Sequence, residues 1–221
     1  MISLARRLTA EALGTCLLVA TVVGSGIMAE RLTTDVALRL LCNSVATGAA
    51  LVVLIALFAP VSRAQFNPVV TLLAAIEGRL RAVEALLFTL AQIAGGSVGT
   101  VLAHLMFGLA PFTTSTTVRS GAGQWLGEIV ATFGLVLLIR GSRRITEMPA
   151  AVLVGLYITA AYWFTSSTSF ANPAVTIARA VTASFAGIAP GDVPAFVLAQ
   201  VAGALLAAGL GNWLFSRDAS A

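Results

Sequence analysis

Apolar runs long enough to cross a bilayer recur along this chain, at about residues 8–28, 36–58, 83–106, 124–140, 149–165 and 193–215, against the roughly 20 residues a helix needs to traverse hydrocarbon. No other feature restricts the fold as much. Inside a bilayer every backbone N–H and C=O must be paired within the protein, so only helices and closed barrels survive; runs of this length select helices. Charged residues make up 10% of the 221-residue chain and hydrophobic ones 58%, where soluble domains carry about 25% charged residues. The runs fill the chain from end to end, which predicts one all-α integral membrane domain over residues 1–221. Arg6 and Arg7 precede the first run as they would in a secretory leader. That run is long, however, carries Glu11, and ends at Ala29-Glu30-Arg31 without a small-residue cleavage pattern, so it is read as a retained helix.

The basic residues, all arginines, lie at the ends of the runs and form no stripe, so the formal net charge of +4 does not point to nucleic acid. Arg6, Arg7, Arg63, Arg79, Arg81, Arg140, Arg143, Arg144 and Arg217 fall on one side of an alternating topology, and Arg31, Arg39, Arg119 and Arg179 on the other. The positive-inside rule then places both termini in the cytoplasm, and the expected setting is the cell's inner (plasma) membrane. Cys16 and Cys42 show neither metal nor disulfide spacing and are read as packing residues, and His104 as a packing or interface residue. No nucleophile–base pair or His-Glu-x-x-His motif is present, so no enzyme activity, cofactor or metal is expected.

Residues 1–110 laid against 120–221 show the same features in the same order. Glu11-x-x-x-Thr15 matches Glu128-x-x-x-Thr132, Asn67-Pro68-Val69-Val70-Thr71 matches Asn172-Pro173-Ala174-Val175-Thr176, and Gln92-x-x-Gly95 matches Gln200-x-x-Gly203. Each half holds three runs, an odd number, so the second half inserts upside down relative to the first. Each Asn-Pro motif opens an apolar segment too short to cross, which must therefore re-enter. Proline suits the first helical turn and asparagine is a strong N-cap, so Asn67 and Asn172 are expected to cap two half-helices whose N-termini meet at the midplane. Irregular backbone at that depth requires burial in protein or a wet cavity, and the arrangement predicts a pore. Capping alone is the competing reading of the asparagines.

These paired Asn-Pro-Ala-type motifs, the glutamate in the first helix of each repeat and the Gln-x-x-Gly elements resemble the aquaporin and aquaglyceroporin (major intrinsic protein) channels over essentially the whole chain. The resemblance implies six transmembrane helices plus two re-entrant half-helices, a homotetramer with one pore per protomer, and passive passage of small neutral solutes. Glu11 and Glu128 would hold the loops before the half-helices. An ion-coupled secondary transporter is the alternative, since broken helices in inverted repeats occur there too.

By family offsets from the asparagines, the selectivity filter would comprise Thr47, Ala160, Ser169 and Val175, with Phe170 in place of Ser169 if the register shifts by one. All four are small or medium, and Val175 stands where the family usually has arginine, which implies a wide filter less hostile to cations. Arg179, one turn beyond Val175, is either a charge at the outer vestibule or a side chain snorkelling to the interface. The Val175-Thr-Ile-Ala-Arg179 continuation with Thr47 resembles the bacterial branch associated with arsenic resistance. That likeness implies arsenite as neutral As(OH)3 and methylated arsenicals among the solutes. Val69 and Gln65 are further departures near the midplane and the cytoplasmic mouth.

Overall fold

A computed structural model describes residues 2–145 and 147–215; Arg217 lies outside them. The described residues form only helices and loops: α1 (Leu4–Leu32), α2 (Val36–Ser62), the short α3 (Pro68–Ile76), α4 (Ala82–Met106), α5 (Ala122–Gly141), α6 (Ala150–Phe164), the short α7 (Pro173–Ala178) and α8 (Val193–Leu214). Five helices are long and apolar enough to span, and α6, with 15 residues, completes the six-helix frame. α1, α2, α4 and α5 overrun their apolar stretches, because helical hydrogen bonding does not depend on the side chains being apolar. Ser3 starts α1 by accepting from the Arg6 N–H, and Asp35 starts α2 by accepting from Leu38 at 2.8 Å. The expected fifth run, 149–165, is instead trimmed, since Pro149 and Thr165 both leave helical conformation at its ends.

Polarity is inverted relative to a soluble protein. Glu11, Thr15, Gln92, Glu128, Thr132 and Gln200 are fully buried, whereas Leu13, Leu17, Val53, Leu86, Leu198 and Leu206 are exposed. Exposed leucine costs nothing against lipid, while a polar group buried without a partner is costly, and both glutamates and both glutamines have theirs inside. Cys16 packs inside as expected, but Cys42 lies on the exposed face of α2. His104 ties the end of α4 to the loops beyond it, with Nδ1 2.7 Å from the Ala110 carbonyl oxygen and Nε2 2.8 Å from Thr182 Oγ1.

The two halves correspond at their helix crossings. At Gly95 an added Cβ would overlap the Ala12 carbonyl of α1, and at Gly203 it would overlap the Ile129 carbonyl of α5. Small residues let membrane helices approach closely enough for backbone contact. Gly95→Ala and Gly203→Ala are therefore each expected to cost about 1–3 kcal/mol by overpacking. Gly209→Ala, where a Cβ meets open space, should be neutral or slightly stabilising. Thermal melting of the purified protein in detergent distinguishes them, and equal melting temperatures for all three would contradict the packing.

Candidate pore and filter

Each half-helix begins as residue chemistry dictates. Asn67 is extended, its Oδ1 accepts from the Val69 N–H at 3.1 Å, and Pro68 occupies the first helical position. Asn172 repeats this, with Oδ1 accepting from Ala174 at 3.0 Å and Val175 at 3.3 Å. The loops ahead of them are bent at matching places. Arg63, Ala64 and Phe66 have positive φ, and so do Thr168, Ser169 and Ala171, which stand the same four, three and one residues before their asparagine. None is glycine, so each carries a backbone cost of about 1–3 kcal/mol that surrounding contacts must offset.

The two glutamates supply those contacts. Glu11 accepts from Ser62 Oγ at 2.6 Å, from the Gln65 and Phe66 N–H groups at 3.0 and 2.7 Å, and from Gln92 Nε2 at 2.8 Å. Glu128 accepts from the Phe170 and Ala171 N–H groups at 2.9 and 2.8 Å and from Gln200 Nε2 at 2.6 Å. The glutamines brace a second partner each, Thr71 Oγ1 at 2.9 Å and Thr176 Oγ1 at 2.8 Å. The Gln-x-x-Gly pattern was visible in the sequence, but this bracing required the fold.

The two loops then lock across the midplane. Asn67 Nδ2 donates to the Ala171 carbonyl at 2.7 Å, and Asn172 Nδ2 donates to the Phe66 carbonyl at 2.7 Å. Beside them lies a cavity of about 170 Å³ whose walls include Leu18, Val22, Leu51, Val154, Ile158 and both asparagines. Arg63, Gln65 and Ala150 line it at the end nearer the termini, and Thr47, Tyr162, Ser169 and Val175 at the other.

The sequence profile described as major intrinsic protein matches residues 1–162. The chain belongs to the major intrinsic protein family. It is 56% identical to the aquaglyceroporin AqpS of Rhizobium meliloti (strain 1021), over 96% of this chain and 91% of that protein. It is 33% identical to the aquaporin TIP2-1 of Arabidopsis thaliana, over 80% of this chain and 76% of that one. The X-ray structure of the aquaglyceroporin from Plasmodium falciparum superposes with a TM-score of 0.71 at 21% identity, over 96% of this chain and 95% of that one, a likeness of fold. Membership of this family makes the molecule an integral membrane channel protein.

Within that frame the expected filter positions divide. Thr47, Ser169 and Val175 line the cavity, but Ala160 lies on the exposed side of α6. The face of α6 turned to the cavity carries Ala150, Val154, Ile158 and Tyr162, one residue per turn. At about 100° per residue, position 160 points away from 158 and 162. Tyr162 is thus the bulky group that counting back from Asn172 misses; its hydroxyl sits 3.2 Å from Thr47 Oγ1. The i, i+4 spacing could have revealed it. This end of the cavity is accordingly narrower than four small residues would leave it.

Ser169 and Phe170 both border the cavity but differ in role. Ser169 Oγ is buried with no protein partner, while the Phe170 ring packs edge-on against Phe196 at 5.2 Å. Arg179 is neither a vestibule charge nor a snorkelling side chain. It is 2% exposed, donates from Nε to the Ala186 carbonyl, and lies over the Phe170 ring. The turn that ends α7 folds the side chain inward where helical projection alone would send it out. Val69 is likewise not a lining residue: it packs with Leu73, Val136, Ala204 and Ala207, and Val70 borders the cavity in its place. Ala174 is fully buried as well. Gln65 lines the opposite end, its Oε1 accepting from Thr71 Oγ1 at 2.6 Å.

Proposed function

We propose that this chain is a passive channel for small neutral hydroxylated solutes: water, glycerol-like polyols, and arsenite as As(OH)3 together with methylated arsenicals. The reciprocal crossing of Asn67 and Asn172 carries the reading. A side-chain amide has two N–H donors; each asparagine spends one on the opposite loop and keeps one for a passing oxygen. The half-helix N-termini add roughly half a positive charge apiece, which disfavours cations and hydronium at the midplane. Ser169 Oγ, Thr47 and Tyr162 offer further hydroxyl contacts, and apolar walls let the solute leave. The filter in this reading is Thr47, Tyr162, Ser169 and Val175. AqpS and the Plasmodium protein are named aquaglyceroporins, which supports the polyol class; the arsenical assignment rests on Val175 and the sequence after it.

Glu11 and Glu128 are already engaged by loop N–H groups and glutamines, which favours a passive channel over an ion-coupled transporter. The arginine distribution supports cytoplasmic termini in the inner membrane. The whole chain would form one channel domain, assembled as the family's homotetramer with a pore in each protomer.

Stopped-flow light scattering on proteoliposomes compares water, glycerol, urea and arsenite side by side. Flux independent of proton and sodium gradients is expected, and a gradient requirement would overturn the reading. For the filter, Tyr162→Ala should raise the glycerol-to-water flux ratio by roughly threefold by removing a constriction. Ala160→Leu should leave it unchanged, and the reverse pattern would mean that α6 presents its other face.

A further inference from the structure

Val175 provides no charge at the Thr47 and Tyr162 end of the cavity, yet positive charge stands close by. Phe170 borders the cavity, and its ring carries two guanidinium groups: Arg179 Cζ lies 3.3 Å from the ring centroid and Arg119 Cζ 5.0 Å. They come from separate segments, Arg179 from the turn after α7 and Arg119 from the loop joining α4 to α5. The two like charges are close enough to repel one another.

Their hydrogen bonds go to neutral acceptors. Arg179 Nε donates to the Ala186 carbonyl. Arg119 donates from Nε to Gly187 O at 2.8 Å, from Nη2 to Phe185 O at 3.4 Å, and from Nη1 to Ser167 O and Thr168 Oγ1 at 3.5 Å. Asp192 accepts from the Arg119 backbone N–H at 2.7 Å, and no carboxylate among the described residues forms an ion pair with either guanidinium. Glu128 acts on both only at longer range. Burial pushes the Arg119 guanidinium below its ordinary value, with Glu128 and Tyr162 opposing, but arginine starts so high that it stays charged.

Two like charges gathered on one ring, desolvated and without an acidic partner, cost free energy that neutral side chains tying the same loops would not. Their field reaches the cavity through protein, where screening is weak. We propose that Arg119 and Arg179 together form the channel's cation barrier at this end, acting from behind its wall. The charge is moved out of the lumen, so Val175 leaves space for bulky neutral solutes while cations are still repelled. The inference rests on the passive-channel reading above and replaces the expectation of a filter less hostile to cations.

The test pairs sodium conductance in planar bilayers with glycerol flux in proteoliposomes. Arg119→Met, Arg179→Met and the double variant should keep glycerol flux within about twofold while sodium permeability rises about tenfold per charge removed. Arg119→Lys and Arg179→Lys should restore low sodium permeability, which a purely structural role does not require. Should the methionine variants fail to fold, Thr168→Asp decides: it keeps both arginines and sets a carboxylate beside Arg119. That variant should raise sodium permeability, and unchanged permeability in folded Thr168→Asp overturns the proposal. Unchanged permeability in folded methionine variants, or leak in the lysine variants equal to theirs, overturns it too. Wild-type protein that conducts none of water, glycerol and arsenite instead sinks the channel reading, so the two failures are distinct.

Discussion

Val175→Arg is expected to reduce glycerol and arsenite flux roughly tenfold or more, equivalent to about 1.4 kcal/mol of added barrier, while water flux falls far less. Val175 borders the cavity and its N–H is held 3.3 Å from Asn172 Oδ1, so the position is fixed beside the asparagine. An arginine there would project a bulky fork into a cavity of about 170 Å³, opposite Thr47 and Tyr162. It would also stand one helical turn from Arg179, where a like charge is unfavourable, so the new side chain has reason to extend into the lumen. Water passes a constriction that excludes a three-carbon polyol. Stopped-flow measurements on reconstituted protein decide this, and unchanged arsenite and glycerol flux in a folded variant would place the filter elsewhere.

Glu11→Gln and Glu128→Gln are expected to destabilise the protein by about 3–5 kcal/mol each, since a hydrogen bond to a charged group contributes roughly 1.5–3 kcal/mol and a stranded buried donor costs about 1–3 kcal/mol. Both Glu11 oxygens accept, Oε1 from Ser62 and Gln65 and Oε2 from Phe66 and Gln92. An amide in its place must aim an NH2 at one of these donor pairs. Gln92 could turn its unpartnered Oε1 toward that NH2, but the backbone N–H of Gln65 or Phe66 has no such freedom. Glu128 holds two consecutive N–H groups, Phe170 and Ala171, and meets the same conflict. Releasing either loop also frees its left-handed residues to relax, which would misalign the asparagine that follows. Lower melting temperature with lost solute flux is the expected outcome, and melting within about 2 °C of wild type, far less than such a loss implies, would show that the loops are held by other contacts.

Much of the fold was legible because it follows from short-range chemistry. Apolar run length reports bilayer thickness, so the helices and their order could be read directly, and only α6 and α8 came out shorter, by two residues and one. Asn67-Pro68 and Asn172-Pro173 specify helix starts by capping and by the missing proline N–H. Their recurrence in each three-run half implies inversion. The same repeat showed Glu11 with Glu128 and Gln92 with Gln200 as equivalent pairs, although what they hold is visible only in three dimensions.

The sequence by itself thus determined the membrane setting, the helix order, the inverted halves and the two half-helix caps, since each depends on residues near one another in the chain. Tertiary structure alone decided which side chains border the cavity. That depends on the rotation of each helix about its axis and the path of each loop, neither of which a fixed offset can carry. Hence Tyr162 in place of Ala160, Val70 in place of Val69, and Arg179 folded inward to meet Arg119 from a distant loop.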